Sequence, residues 1–300
     1  MLKGIHFLLT YMCNLECDHC FVYSKPSAKG TFTLGQIDSV LNEAIKLGSV
    51  ETIYFEGGEP FLFYPVMLEG INRTRDRGFK AGVVTNAYYV TSEEDAELWL
   101  RPLHELGLSK LSISDDSFHS GDEEDTKGKV LQRAAEKLGI PAGTICIEKP
   151  AVETPTDEDG SKGEAVVGGG AKFRGRAVEK LLEGLPLKPW KEMNECPDED
   201  LKEPKRVHVD SDGNVHLCQG LSMGNMWETP LSDLVKNYDG ESHPICGPLL
   251  KGGPALLAEK YGFKPAEGYV DPCHFCYLIR KALLDRFPEY LAPPAVYGLD

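Results

Sequence analysis

Gly4-Ile5-His6-Phe7-Leu8-Leu9-Thr10-Tyr11-Met12-Cys13-Asn14-Leu15-Glu16-Cys17-Asp18-His19-Cys20 is the stretch from which the fold and chemistry of this 300-residue chain are read. Gly4–Leu9 is short and mostly apolar, the pattern of a first buried strand. Cys13, Cys17 and Cys20 follow at CxxxCxxC spacing. A four-iron cluster has four iron corners, and protein sites usually cap all four with thiolates. Three closely spaced thiolates cap only three and leave one iron open to chelate a small molecule. A zinc site and ordinary buried thiols are the competing readings. Structural zinc takes four ligands, and His19 is the sole further partner nearby, inside the same tight loop.

Beyond the loop, strand and helix signals alternate. Strands are expected at Thr52–Phe55, Ala81–Thr85, Lys110–Ser114 and Gly143–Ile147. Helices are expected at Thr33–Leu47 with Thr33 as N-cap, at Pro65–Arg77, from Ser92 to Leu106 and at Thr126–Leu138. This rhythm predicts an α/β fold, a parallel sheet or barrel with ligands at the carboxyl ends of the strands. It breaks after residue 148. Lys149–Lys162 reads as a loop, Glu164–Arg174 as room for a sixth strand, and Arg176–Leu182 as a short helix. Arg206–Asp210 and Asn214–Leu217 read as a hairpin turning at Asp212-Gly213. Further helices are expected near Leu231–Asn237, Ala255–Tyr261 and Tyr277–Phe287.

A formal net charge of −15 disfavours tracking of a phosphate backbone, so no nucleic-acid partner is expected. The acidic runs Asp115–Asp125, Asp157–Asp159 and Glu195–Asp200 read as solvated loops. No signal peptide and no apolar run of membrane-spanning length occur, so a cytoplasmic protein without a membrane partner is expected. Nine cysteines are an odd number. In a reducing compartment they point to metal or catalytic use more than to disulfides. Cys146, in the fifth expected strand, reads as an inert core thiol.

The cysteine run after the first strand resembles that of the radical S-adenosylmethionine (radical SAM) superfamily, with His19 in the slot usually filled by an aromatic ring. Glu56-Gly57-Gly58-Glu59-Pro60, after the second strand, resembles the family's GGEP motif. There Gly57 and Gly58 allow close backbone approach, and Glu59 with exposed carbonyls accepts hydrogen bonds from the cofactor's ammonium group. Thr85-Asn86 resembles its Thr-Asn-Gly element, with Ala87 replacing glycine. Ser112 and Ser114-Asp115 stand where related enzymes contact the ribose. Arg174-Gly175-Arg176-Ala177 resembles its Gly-Arg-Ala segment, and an arginine there pairs with the methionine carboxylate. His119 reads as a loop histidine, solvated more readily than catalytic.

Cys196, Cys218, Cys246, Cys273 and Cys276 form a second group. Gly213-x4-Cys218 and Cys273-His-Phe-Cys276 resemble the C-terminal SPASM or twitch extensions of radical SAM enzymes, which hold auxiliary four-iron clusters. The resemblance implies one auxiliary [4Fe-4S] cluster on Cys196, Cys218, Cys273 and Cys276, with Cys246 competing for a place and a four-thiolate zinc site as the alternative. It implies a partial (β/α)6 TIM-like barrel over residues 1–184, with a Cys-rich hairpin and helix extension over 185–300. It further implies that the N-terminal [4Fe-4S] cluster reductively cleaves S-adenosyl-L-methionine, and that the resulting 5′-deoxyadenosyl radical abstracts hydrogen from a peptide, protein or small molecule. The expected enzyme is an oxidoreductase or maturase, with a reductase, flavodoxin or ferredoxin as electron donor. Because the chain opens at its first strand, an N-terminal leader-peptide domain is not expected, which weakens the peptide reading. A non-catalytic iron–sulfur or zinc protein for electron transfer or scaffolding is the alternative function. The Gly57-Gly58-Glu59 element speaks against it, since an electron carrier needs no amino-acid-binding loop.

Overall fold

The computed structural model describes residues 1–121, 124–154 and 165–299. The acidic run Asp157–Asp159, with most of the expected Lys149–Lys162 loop, lies outside the described residues. The first half alternates as β1 (Gly4–Thr10), α1 (Leu34–Leu47), β2 (Thr52–Gly57), α2 (Tyr64–Asp76), β3 (Lys80–Thr85), α3 (Glu93–Glu105) and β4 (Lys110–Ser114), then the one-turn α4 (Ser117–Ser120), α5 (Lys127–Leu138) and β5 (Ala142–Ile145). The five strands pair in parallel in chain order.

The local causes are legible. Thr33 accepts from the Gln36 N–H while the Gln36 side chain accepts from the Thr33 N–H, a reciprocal cap that starts α1. Ser92 and Thr126 cap α3 and α5 by accepting from the Asp95 and Lys129 N–H groups. Ile37, Val40, Leu41 and Ala44 form one buried stripe on α1. It meets the strand face carrying Ile5, Phe7, Leu9, Ile53 and Phe55, all fully buried. Phe7 stacks on Phe55 and meets Phe32 edge-on, with both centroid separations 5.1 Å. Side chains alternate along a strand, so His6, Leu8, Tyr54, Glu56, Val84, Ser112 and Ser114 share the opposite, inner face.

The sixth strand is not where the sequence pattern placed it. Ala151–Glu153 (β6) and Val166–Gly168 (β7) form an isolated antiparallel pair. The sixth parallel strand comes from far downstream. After α6 (Ala177–Lys180) and the two-residue β8 (Lys188–Pro189), β9 (Arg206–Asp210) pairs in parallel with β1, from Gly4↔Arg206 to Leu8↔Asp210. β10 (Asn214–Cys218) returns antiparallel through Gly213, whose φ of +91° suits glycine, and β11 (Leu221–Asn225), not expected from the sequence, follows. The sheet order is β11-β10-β9-β1-β2-β3-β4-β5. Hydrophobic alternation identifies a strand but carries no record of its partner, which explains the difference.

The remainder packs as α7 (Leu231–Asn237), α8 (Cys246–Tyr261), β12 (Gly268–Tyr269, paired with β8) and α9 (Pro272–Ala282). α8 is broken at Gly252–Gly253. α9 starts five residues before the expected Tyr277, because Asp271 accepts from the His274 N–H and Pro272 takes the first helical position. Two further expectations are corrected. Cys146 is exposed and lies just past the edge strand β5, so it is no core thiol. The acidic run Glu195–Asp200 is not simply solvated, since the Asp198 and Glu199 side chains are largely buried.

Candidate active site and a second cysteine pocket

Cys13, Cys17 and Cys20 lie in the loop leaving the carboxyl end of β1 and line a cavity of about 260 Å³. The cavity is closed below by Leu8, Glu56, Val84 and Ser114 of the inner strand face. Protein donors already point at the sulfurs. The Leu15 N–H reaches Cys13 Sγ at 3.4 Å, the Ser24 N–H reaches Cys20 Sγ at 3.3 Å, and Asn86 Nδ2 lies 3.6 Å from Cys13 Sγ. Such donors stabilise thiolate charge on an iron–sulfur cluster. Burial pushes the Cys13 thiol up to about 11 and the Cys17 thiol up to about 12, so binding of a metal centre would have to displace their protons to solvent. Arg176 holds the loop, with Nη1 donating to the Cys17 carbonyl at 2.8 Å and Nη2 to the Ser24 carbonyl at 2.7 Å.

The glycine turn packs directly against this loop. A Cβ at Gly57 would overlap the Thr10 carbonyl oxygen, and one at Gly58 the Met12 carbonyl oxygen. The Gly58 N–H donates to Thr10 O at 2.7 Å and the Glu59 N–H to Met12 O at 2.9 Å. Gly57 and Gly58 line the cavity. The Glu59 carboxylate is fully buried and turned into the protein. It accepts from the Phe61 N–H, the Thr85 hydroxyl and the Asn86 N–H at 3.0, 2.9 and 2.7 Å. It therefore ties the ends of β2 and β3 together, and burial raises its pKa to about 7 despite those donors. Pro60 is buried and opens a 3₁₀ turn. Asn86 lines the cavity and also donates to Asn14 Oδ1 at 2.9 Å. Ala87, at the glycine position of the family pattern, has φ +58°, the conformation that favours glycine there.

Ser114 lines the cavity; Ser112 sits one step deeper on β4 and is not in its lining. The sequence reading missed a pair at the end of β4. His119 Nδ1 lies 2.7 Å from Asp116 Oδ1, and both residues line the cavity. Asp116 also accepts from the Phe118 and Ile147 N–H groups at 3.0 and 3.1 Å. Burial works to raise the Asp116 pKa, but hydrogen bonding to His119 and the other contacts hold it below its ordinary value. His119 is thus a largely buried, oriented imidazole and no solvated loop residue. A carboxylate just past a strand end with a histidine three residues on was the available signal.

Cys196, Cys218, Cys273 and Cys276 line a second, smaller cavity with Arg174, Asp198, Glu199 and Arg280. Cys246 is absent from that lining; it is buried at the start of α8 against Tyr238. Arg174 lines both cavities, and its Nη1 contacts Cys218 Sγ at 2.9 Å. Four thiolates around zinc would stand about 3.8 Å apart, from Zn–S bonds near 2.3 Å. Among the described residues no three of these thiols, or of the N-terminal ones, lie within 4.8 Å of one another. Buried Arg174 and Arg280 supply cationic charge beside the second cavity, and both leave Nε without a hydrogen-bond partner. Two buried cations suit an anionic occupant.

Residues 7–137 match the profile of the radical SAM superfamily. YydG of Bacillus subtilis (strain 168), named for peptide biosynthesis, is 23% identical over 261 residues, 86% of this chain and 74% of that protein. The tungsten-containing aldehyde ferredoxin oxidoreductase cofactor-modifying protein of Pyrococcus furiosus is 30% identical over 139 residues, 46% of this chain and 37% of its own length. The crystal structure of BtrN in complex with AdoMet and 2-DOIA shares the fold, with a TM-score of 0.52 at 19% identity over 79% of this chain and 83% of that one. No helix among the described residues is long and apolar enough to cross a membrane. The matched segment contains the cysteine loop, the glycine turn and the ends of β3 and β4 that build the first cavity, so it is this part of the chain that carries the radical SAM domain.

Proposed function

We propose that the chain binds a [4Fe-4S] cluster through Cys13, Cys17 and Cys20, takes S-adenosyl-L-methionine beside it, and removes a hydrogen atom from a peptide or small-molecule substrate. The observation that carries this is the cavity itself: three thiols, Cys13 and Cys20 among them with N–H donors aimed at their sulfurs, share its walls with Gly57, Gly58 and Asn86. When bound, cluster and cofactor supply a 5′-deoxyadenosyl radical by one-electron cleavage of the C5′–sulfur bond. The chain's own part is to position, enclose and move protons. Gly57 and Gly58 keep the space beside the thiols free of side chains. Asn86 orients Cys13. Apolar walls, among them Leu8, Val22 and Val84, limit the access of water to the reacting carbon. His119, oriented by Asp116, gives or takes a proton at Nε2.

Residues 185–300 act as a SPASM- or twitch-like extension in this reading, holding an auxiliary cluster on Cys196, Cys218, Cys273 and Cys276. Similarity to YydG over most of the chain favours a peptide substrate; a ferredoxin or flavodoxin would deliver electrons. Anaerobically reconstituted, reduced protein should carry about eight irons and form 5′-deoxyadenosine from S-adenosylmethionine. Cys17→Ala should form none. Intact N-terminal cluster without 5′-deoxyadenosine would refute the proposal; about four irons with one zinc would refute the auxiliary cluster.

A further inference from the structure

The pairing of β9, β1 and β2 brings His208, His6 and Glu56 together on the inner sheet face, behind the lining of the first cavity. His6 is in register with His208 on one side and with Tyr54, two residues before Glu56, on the other. His6 Nδ1 lies 3.2 Å from Glu56 Oε2, and His208 Nε2 lies 2.9 Å from Glu56 Oε1. The three donor atoms all fall within 4.8 Å of one another. The imidazoles meet edge to face at 5.0 Å, and His6 stacks on Tyr54 at 4.7 Å, which fixes both ring planes. His6 Nδ1 is buried and makes no hydrogen bond despite its closeness to the carboxylate. Nitrogen and oxygen lie side by side, as neighbouring ligands of one ion do: with bonds near 2.1 Å, adjacent octahedral donors stand about 3.0 Å apart.

One carboxylate and two imidazoles form a mixed nitrogen–oxygen set that suits iron(II), cobalt(II) or zinc better than magnesium or calcium. Glu56 belongs to the cavity lining, so an ion at this place is reached from the cavity.

We infer that His6, Glu56 and His208 bind one divalent first-row transition metal ion, whose remaining coordination positions take an oxygen donor of the substrate, a carboxylate, carbonyl or hydroxyl. The site uses none of the nine cysteines, and its binding of the ion does not depend on the radical chemistry proposed above, although its substrate ligand rests on that reading.

The test uses the fully reconstituted protein, in which iron already occupies the thiols, dialysed anaerobically against cobalt(II). Cobalt per chain is counted by elemental analysis, and bound high-spin cobalt is followed by electron paramagnetic resonance with the clusters oxidised. Wild type should retain one cobalt with micromolar or tighter affinity. Glu56→Gln and His208→Gln should each lose that equivalent, with affinity at least tenfold weaker, while keeping wild-type iron content and thermal unfolding. Absence of cobalt retention by the wild-type protein would overturn the inference whatever the variants do. So would variants that fold, keep their iron and bind cobalt as well as wild type, which would leave Glu56 as a carboxylate shared between two imidazoles. Neither readout depends on cleavage of S-adenosylmethionine, so failure here and failure of the proposed function are distinguishable.

Discussion

At Gly58 a single methyl group decides whether the cysteine loop can exist in its present shape. Its Cβ would enter the Met12 carbonyl, and backbone on both sides is held by the Gly58-to-Thr10 and Glu59-to-Met12 hydrogen bonds. Gly58→Ala should cost roughly 3 kcal/mol or more, since overpacking against fixed backbone has no side chain to displace. The expected outcome is a lower unfolding midpoint and about half the iron after reconstitution, with loss of 5′-deoxyadenosine formation. His119 poses a different question. It faces the cavity from a hydrogen bond to Asp116, so His119→Ala should lower product formation about 100-fold or more, the scale of a lost general acid or base. Cofactor cleavage without substrate should persist. A parallel loss of both activities would make His119 a structural residue. The sequence reading took this histidine for a solvated one because one-dimensional spacing showed no wall around it.

A histidine three residues before helix α8 holds the start of the helix. His243 is buried, lies 3.0 Å from Ser222 O through Nε2, and accepts at Nδ1 from the Ile245 and Cys246 N–H groups at 3.2 and 3.1 Å. Burial lowers its pKa below the ordinary value of about 6.5. A group whose folded pKa is depressed favours the folded state above its unfolded pKa and loses that contribution as pH falls. Stability should therefore decline as pH drops below about 6.5, and His243→Gln should flatten that part of the profile in thermal unfolding. α9 carries its own capping residue. Asp271 caps the turn bearing Cys273 and Cys276, so Asp271→Ala should cost about 1 kcal/mol. Iron content should fall at the second pocket before the first.

Across the whole molecule, β9 covers the β1 edge, and its Val207 and Val209 are fully buried. A chain cut after residue 184 would leave β1 with unpaired backbone and expose this apolar face. Such a fragment should be aggregated or unfolded by size-exclusion chromatography and circular dichroism, and a soluble, cluster-binding fragment would show the two halves to be independent. Arg174 joins them further, since it lines both cysteine cavities. Replacing buried Arg280 by methionine removes cationic charge beside the second pocket, and should shift an auxiliary cluster to more negative potential in a redox titration.

The strands and helices of the first half were legible because each has its own local cause: Thr33, Ser92 and Thr126 cap their helices, and the residues of β1 to β4 alternate. The cysteine loop and Gly57-Gly58 were legible for the same reason, since their spacing lies within one stretch of chain. Partnership over long separations was not. That β9 supplies the sixth parallel strand, that Glu59 faces inward, that Arg174 turns to Cys218, and that His6, Glu56 and His208 converge all depend on which strand neighbours which. Local patterns fix what each segment becomes; long-range contacts set what each side chain meets, because pairing energy depends on the neighbour and not on the segment alone.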